Sequence, residues 1–292
     1  MSELNGVLPV DKPTGPTSHD VVATARRQLG LRRIGHTGTL DPFASGLLLL
    51  CLGPSTRLAE YLTGLPKSYV ATLHLGVVTD TDDLEGTVMT RVESLESVTP
   101  DRLERALDEQ RGEILQVPPR YSAKKVGGRK LYEAARAGEE VEIQPSRVQV
   151  TRLVATRFEP PEVDIEVDCS SGTYIRALAR DIGERLGVGA HLTALRRTRI
   201  GRFDVEQAIG MEQLTDPAAV SSALLSPAEA LGDMPAVTLP ESERSILAHG
   251  GSVPAPEGTP EDGPLALLAA DGALMAIGER RGSRIQPRKV FA

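Results

Sequence analysis

Apolar residues recur along this chain in two rhythms, and the segments they mark set the architecture. Val22, Ala25 and Leu29 follow Ser18 at helical spacing and stop at Gly30, which predicts a helix of about three turns capped by that serine. Thr99, Pro100, Leu103, Ala106 and Leu107 repeat the pattern up to Gly112, with proline at the first helical position, where its missing N–H costs nothing. Ile175, Leu178, Ala179, Ile182 and Leu186 predict another helix, and Ser55 with Leu58, Ala59 and Leu62 a short one before Gly64. The second rhythm has period two. Tyr69, Ala71, Leu73, Leu75 and Val77 alternate with smaller or more polar residues, and Val163, Ile165, Val167 and Cys169 alternate with Asp164, Glu166 and Asp168, as half-buried strands do. Arg147 to Phe158 is strand-like, and the apolar run Gly46 to Leu52 has the length of a buried strand.

These strands and helices lack the regular βα alternation of a doubly wound sheet. The expectation is an α+β fold, a mixed and largely antiparallel sheet with flanking helices, over residues 1–230. Residues 235–292 are richer in Gly and Pro, and their apolar runs Leu265 to Ala270 and Leu274 to Ile277 flank the hairpin signal Asp271-Gly272. They predict a small C-terminal β-barrel domain. Between 204 and 234 the pattern is uninformative.

A chain of 292 residues, 40% of them apolar, can bury a full core. Its two cysteines, Cys51 and Cys169, form no CxxC pair and no zinc spacing, so a reduced, cytoplasmic protein is expected. The longest apolar run, Leu47 to Leu52, is far too short for a bilayer, and no basic-then-apolar leader opens the chain, so neither export nor a membrane is expected. The net charge of −7 weighs against nucleic acid. Its distribution reverses that inference. Arg26, Arg27, Arg32 and Arg33 form one cluster, Arg120, Lys124, Lys125, Arg129 and Lys130 a second, Arg196, Arg197, Arg199 and Arg202 a third, while acids gather elsewhere. That segregation predicts one basic face.

The chemistry concentrates in Gly35-His-Thr-Gly-Thr-Leu-Asp-Pro-Phe-Ala-Ser-Gly46. Glycines there permit backbone angles closed to other residues, and Pro42 forces Asp41 onto an extended backbone. His36 is open to three readings: base, metal ligand or structural histidine. No third ligand accompanies it and Asp41, which argues against a metal. Asp80-Thr-Asp82-Asp83 reads as a solvated turn, since it lacks calcium-loop spacing. There is no Gly-x-Ser-x-Gly elbow, Walker loop or GxGxxG fingerprint.

That loop resembles the catalytic motif of the TruB family of tRNA pseudouridine-55 synthases, relatives of dyskerin. Val10-Asp-Lys12-Pro13-Thr-Gly15, Lys67-Ser-Tyr69, Thr79-Asp-Thr-Asp-Asp followed by Gly86, Pro119-Arg-Tyr121-Ser122-Ala123, Gly128-Arg-Lys-Leu131-Tyr132, Ser171-Gly-Thr-Tyr174-Ile175-Arg176 and Leu195-Arg196-Arg197 resemble further family stretches in the same order. The likeness spans residues 6–203. More weakly, Gly250-Gly251, Ile277-Gly278 and Pro287 to Phe291 resemble a PUA domain, an RNA-binding β-barrel. Ser68 departs from the family, where a larger basic residue is common.

The resemblance implies isomerisation of uridine 55 in the tRNA T-loop with no cofactor. The C1′–N1 bond breaks, the base turns, and C5 joins C1′. Asp41 is then the catalytic carboxylate, whether it attacks C1′, adds to C6 or takes a ribose proton. Arg176 keeps it ionised, because an apolar pocket alone favours the neutral acid. Tyr69 stacks on the flipped uracil or assists a proton transfer. Tyr174, Lys12 and Leu195 line the pocket, and His36 holds the RNA loop open. Lys124, Lys125, Arg129, Arg196 and Arg197 grip phosphates. The partner is the T-arm and the protein a monomer. The competing readings are a tRNA-folding chaperone without catalysis, and the same reaction on ribosomal RNA.

Overall fold

The computed structural model describes residues 4–122, 125–126, 129–131, 139 and 141–291. Its centre is a ten-stranded sheet. Across it run Ile209–Gly210, Gly6–Lys12, Ser45–Leu52, Ala190–Ile200, Lys67–Leu75, Glu162–Cys169, Ser146–Glu159 and the edge strand Gly112–Gln116. Phe203–Asp204 and Ile34–His36 pair at the side of this path. Two pairings are parallel, Gly6–Lys12 with Ile209–Gly210 and Ala190–Ile200 with Ser45–Leu52; the others are antiparallel. The fold is therefore the mixed, largely antiparallel α+β arrangement expected.

Helices Pro100–Asp108 and Ile175–Leu186 close one face over Leu73, Ile165, Val167 and Leu192, and helix Ser18–Leu29 packs Val21, Val22 and Ala25 on Leu48 and Leu50. Ser45–Leu52 is buried almost end to end, which its unbroken apolar run foretold. Among the described residues no helix is long and apolar enough to cross a membrane.

The C-terminal sheet is a curled five-stranded half-barrel in the order Ala236–Thr238, Pro264–Leu268, Leu274–Arg281, Arg284–Val290, Val253–Pro254. Its Ala266, Leu274 and Ile277 join Val7, Leu47, Leu49 and Ile200 in one apolar cluster. Lys289 Nζ lies 2.6 Å from Glu60 Oε1, so the last strand is tied to helix Ala59–Thr63.

Two local expectations need correction, and one central strand was not anticipated. Thr17, not Ser18, caps the first helix: its hydroxyl accepts from the Asp20 N–H, and the Asp20 carboxylate accepts from the Thr17 N–H. Ser55 starts no α-helix. It lies inside the 3-10 turn Gly53–Leu58, its hydroxyl donating to Asn5 Oδ1. The central strand Ala190–Ile200 had no apolar signature, because Thr193, Arg196, Arg197 and Arg199 interrupt its alternation.

Candidate active site

Asp41 stands in a loop fixed from three sides. Helix Ser18–Leu29 supplies the buried Ser18 hydroxyl, which donates to the Leu40 carbonyl at 3.1 Å and accepts from the Leu40 N–H at 2.8 Å. Gly15 N–H donates to the Pro42 carbonyl at 2.8 Å. Gly46 closes the loop at φ +107°, where a Cβ would lie 2.2 Å from the Arg197 carbonyl oxygen. Only glycine lets the two parallel strands meet there.

The carboxylate lies in the wall of a cleft of about 710 Å³, shared with Gly38, Lys67, Tyr69, Ser122, Tyr174, Arg176, Leu195 and Arg197. Arg176 Nε is 3.0 Å from Asp41 Oδ2. Both terminal nitrogens are engaged: Nη1 donates to the Thr81 carbonyl at 2.9 Å and Asp83 Oδ2 at 3.1 Å, Nη2 to the Tyr121 carbonyl at 2.8 Å. Burial pushes the Asp41 pKa above the ordinary carboxylate value; Arg176 opposes the rise, Asp83 adds to it, and Lys12 opposes it. A third of the Asp41 side chain, 34%, still faces the cleft.

Strand pairing places the other walls. Tyr69 sits opposite Val167 on one neighbour and Arg197 on the other. Its buried phenol has a raised pKa, caused by desolvation and opposed by the charge of Arg197. Tyr174 is the N-cap of helix Ile175–Leu186, its N–H donating to Gln116 Oε1 at 2.8 Å and its carbonyl accepting from Gln116 Nε2 at 3.1 Å. Arg176, one residue into that helix, thus reaches Asp41 from the opposite wall.

Several expectations change. Asp80 is exposed, but the rest of the turn is not solvated: Asp83 is 3% exposed, its Oδ1 accepts from Thr81 Oγ1 and the Glu85 N–H, and Asp82 pairs with Arg180 at 3.2 Å. An Asp-rich turn reads as solvent-facing until a distant guanidinium is known to cover it, so Asp83 drew no role from the sequence although its stretch resembles the family. Gln116, buried at the end of an edge strand, left no signal. Arg197 is not a surface phosphate contact. It is 1% exposed, with Nε donating to the Leu47 carbonyl at 2.7 Å, because strand alternation turns it inward with Leu195. Arg196 points the other way, into a bidentate pair with Asp11.

Lys12 does not line the cleft. It is 0% exposed beneath the loop, donating to the carbonyls of Pro13, Pro16 and Pro42, and burial lowers its pKa to about 8. His36 lies outside the lining too. Its Nδ1 accepts from the Gly38 N–H and its ring meets His19 edge-on at 5.4 Å, while burial lowers its pKa. Lys124 lies outside the described residues; Lys125 and Arg129 fall in a two-stranded ribbon, Lys125–Val126 with Arg129–Lys130. Among the described residues no three His, Cys, Asp or Glu side chains gather as a metal would require.

Comparison with known proteins gives a consistent set. Residues 26–175 match the model of the TruB family pseudouridylate synthase N-terminal domain, and residues 176–231 that of the tRNA pseudouridylate synthase B C-terminal domain. The chain is 46% identical over 284 residues to tRNA pseudouridine synthase B of Mycobacterium tuberculosis (strain ATCC 25618 / H37Rv), covering 96% of this chain and 93% of that protein. Its counterpart in Symbiobacterium thermophilum is 50% identical over 252 residues, 85% of this chain and 83% of that one. Among solved structures, a Cbf5-Nop10-Gar1 complex aligns at a TM-score of 0.78 with 30% identity, over 98% of this chain and 85% of that one. An H/ACA RNP bound to a substrate RNA containing 2′-deoxyuridine aligns at 0.76 with 28% identity, over the same shares.

Proposed function

We propose that this chain, which belongs to the TruB family and is a tRNA pseudouridine synthase, acts on uridine 55 of the T-loop, with Asp41 as its catalytic carboxylate. The observation that carries the assignment is the Asp41–Arg176 contact at 3.0 Å within the cleft. Desolvation favours the neutral acid, and the fixed guanidinium opposes that pull and favours the ionised form the chemistry needs.

The uridine is flipped from the T-arm into the cleft, since the reacting bonds are unreachable in a stacked base. Tyr69 stacks on the uracil. Its raised pKa means the phenol holds its proton, which supports stacking over a role as base. Leu195 and Tyr174 complete the walls and hold the detached base while it turns. His36 and the exposed basic residues, with Lys124, Lys125 and Arg129, meet the RNA around the opened loop, and Arg196 does so from its pair with Asp11. Residues 1–230 form the catalytic domain, and 235–292 a PUA-like domain that adds RNA contacts. The protein works as a cytoplasmic monomer without a cofactor; buried, unpaired Cys51 and Cys169 suit a reducing compartment.

The test is pseudouridine mapping of an unmodified T-arm transcript incubated with the protein in EDTA. Pseudouridine at position 55 is expected. Modification elsewhere overturns the site, a requirement for metal overturns the chemistry, and binding without modification favours the chaperone reading.

A further inference from the structure

Two cations buried beside the cleft have no carboxylate partner among the described residues. Arg176 is paired twice; Lys67 and Arg197 form no salt bridge there. Lys67 is 8% exposed, and its Nζ donates to the carbonyls of Thr63 at 2.9 Å and Leu65 at 2.7 Å, leaving one of its three N–H bonds unassigned. Arg197 donates to the Leu47 and Gly38 carbonyls and lies across the strand pairing from Tyr69. Both line the cleft and converge at Gly38, where a Cβ would stand 3.8 Å from Arg197 Nη1 and 3.9 Å from Lys67 Cε. Burial, and then Arg197, lower the Lys67 pKa to about 8. Burying two unpaired like charges side by side is costly, and an incoming negative charge offsets that cost.

The proposed reaction supplies such a charge by every route open to Asp41. If the carboxylate attacks C1′, an ester bond forms, the C1′–N1 bond breaks, and its electron pair leaves on uracil. If it takes the C2′ proton, a C1′=C2′ bond forms and uracil again leaves with the pair. If it adds to C6, the C5=C6 pair moves onto C5 and O4. The charge that starts on Asp41 ends on the base each time. Resting on that reading, we infer that Lys67 and Arg197 are a fixed positive pair that stabilises the negative charge developing on the uracil ring. They act where charge appears in the transition state and gain least from the neutral substrate.

The test separates rate from affinity. With T-arm RNA saturated by enzyme, Lys67→Met is expected to lower the single-turnover rate about 10²-fold while Kd stays within about twofold. A rate near wild type overturns the inference, as does a loss carried by weaker binding alone, which marks a phosphate grip. A wild-type measurement guards against a misfolded variant: T-arm RNA carrying 6-azauridine at the target, whose isosteric ring ionises more readily, is expected to bind more tightly as pH rises through that ionisation, relative to uridine RNA. Unchanged or weaker binding overturns the pair. Wild type that makes no pseudouridine defeats the underlying reading instead, before any variant is made.

Discussion

Arg176 Nε lies 3.0 Å from Asp41 Oδ2, and the same guanidinium reaches Asp83 Oδ2 at 3.1 Å on its other side. One side chain therefore joins the Gly35–Gly46 loop to the Asp80–Asp83 turn, and two peptide carbonyls fix its plane. The Asp41 carboxylate is thus aimed by groups from separate stretches of chain, and the Arg176 charge opposes the upward pull of burial on its pKa.

Asp41→Asn keeps the shape of the side chain and removes the charge. The single-turnover rate is expected to fall about 10³-fold or more, with RNA affinity within about twofold. Activity near wild type would remove Asp41 from the chemistry.

The raised Asp41 pKa also has a stability consequence. Between the unfolded value and the higher folded one, the unfolded chain gives up the proton first, so stability falls as pH rises through that window and the deficit is complete above the folded pKa. Asp41→Asn escapes this. Its melting temperature is expected to exceed wild type by more at neutral pH than below the ordinary carboxylate range, about pH 4. A gap independent of pH contradicts the shift.

Arg176→Lys retains a charge and loses the planar fork, so one ammonium cannot serve Asp41, Asp83 and two carbonyls together. The saturated rate is expected to drop about 10²-fold. The acid limb of the pH–rate profile should move upward, because a cation that holds the Asp41 pKa down is displaced. A limb that stays in place shows that Arg176 does not set the ionisation.

Asp83→Asn separates the buried network from a solvated turn. In the network, Arg176 loses a charged anchor, and the rate is expected to fall about tenfold or more with Kd unchanged. A solvated aspartate would give wild-type kinetics.

Gly46→Ala places a Cβ 2.2 Å from the Arg197 carbonyl oxygen at φ +107°. A loss of roughly 3 kcal/mol or more is expected, read as a lower denaturation midpoint or insoluble protein. Normal stability would mean that the strands can part without cost.

Elements whose signal is local were legible in the amino-acid pattern: helix Ile175–Leu186 and strand Glu162–Cys169, whose periodicities are uninterrupted, and the glycine-framed Asp41 loop. The ordered motifs also marked Tyr69, Tyr174, Arg176 and Leu195, which the structure gathers around one cleft with Asp41. What cross-strand register and long-range burial control emerged with the folded chain. Arg197 looked like a surface cation beside Arg196, and one step of strand alternation buries it opposite Tyr69 instead. Asp83 looked solvated until Arg176 covered it, and Lys12 looked like a pocket residue until three proline carbonyls enclosed it. A charged side chain carries the same letter in water and in a core, and which it occupies depends on partners that the local pattern does not contain.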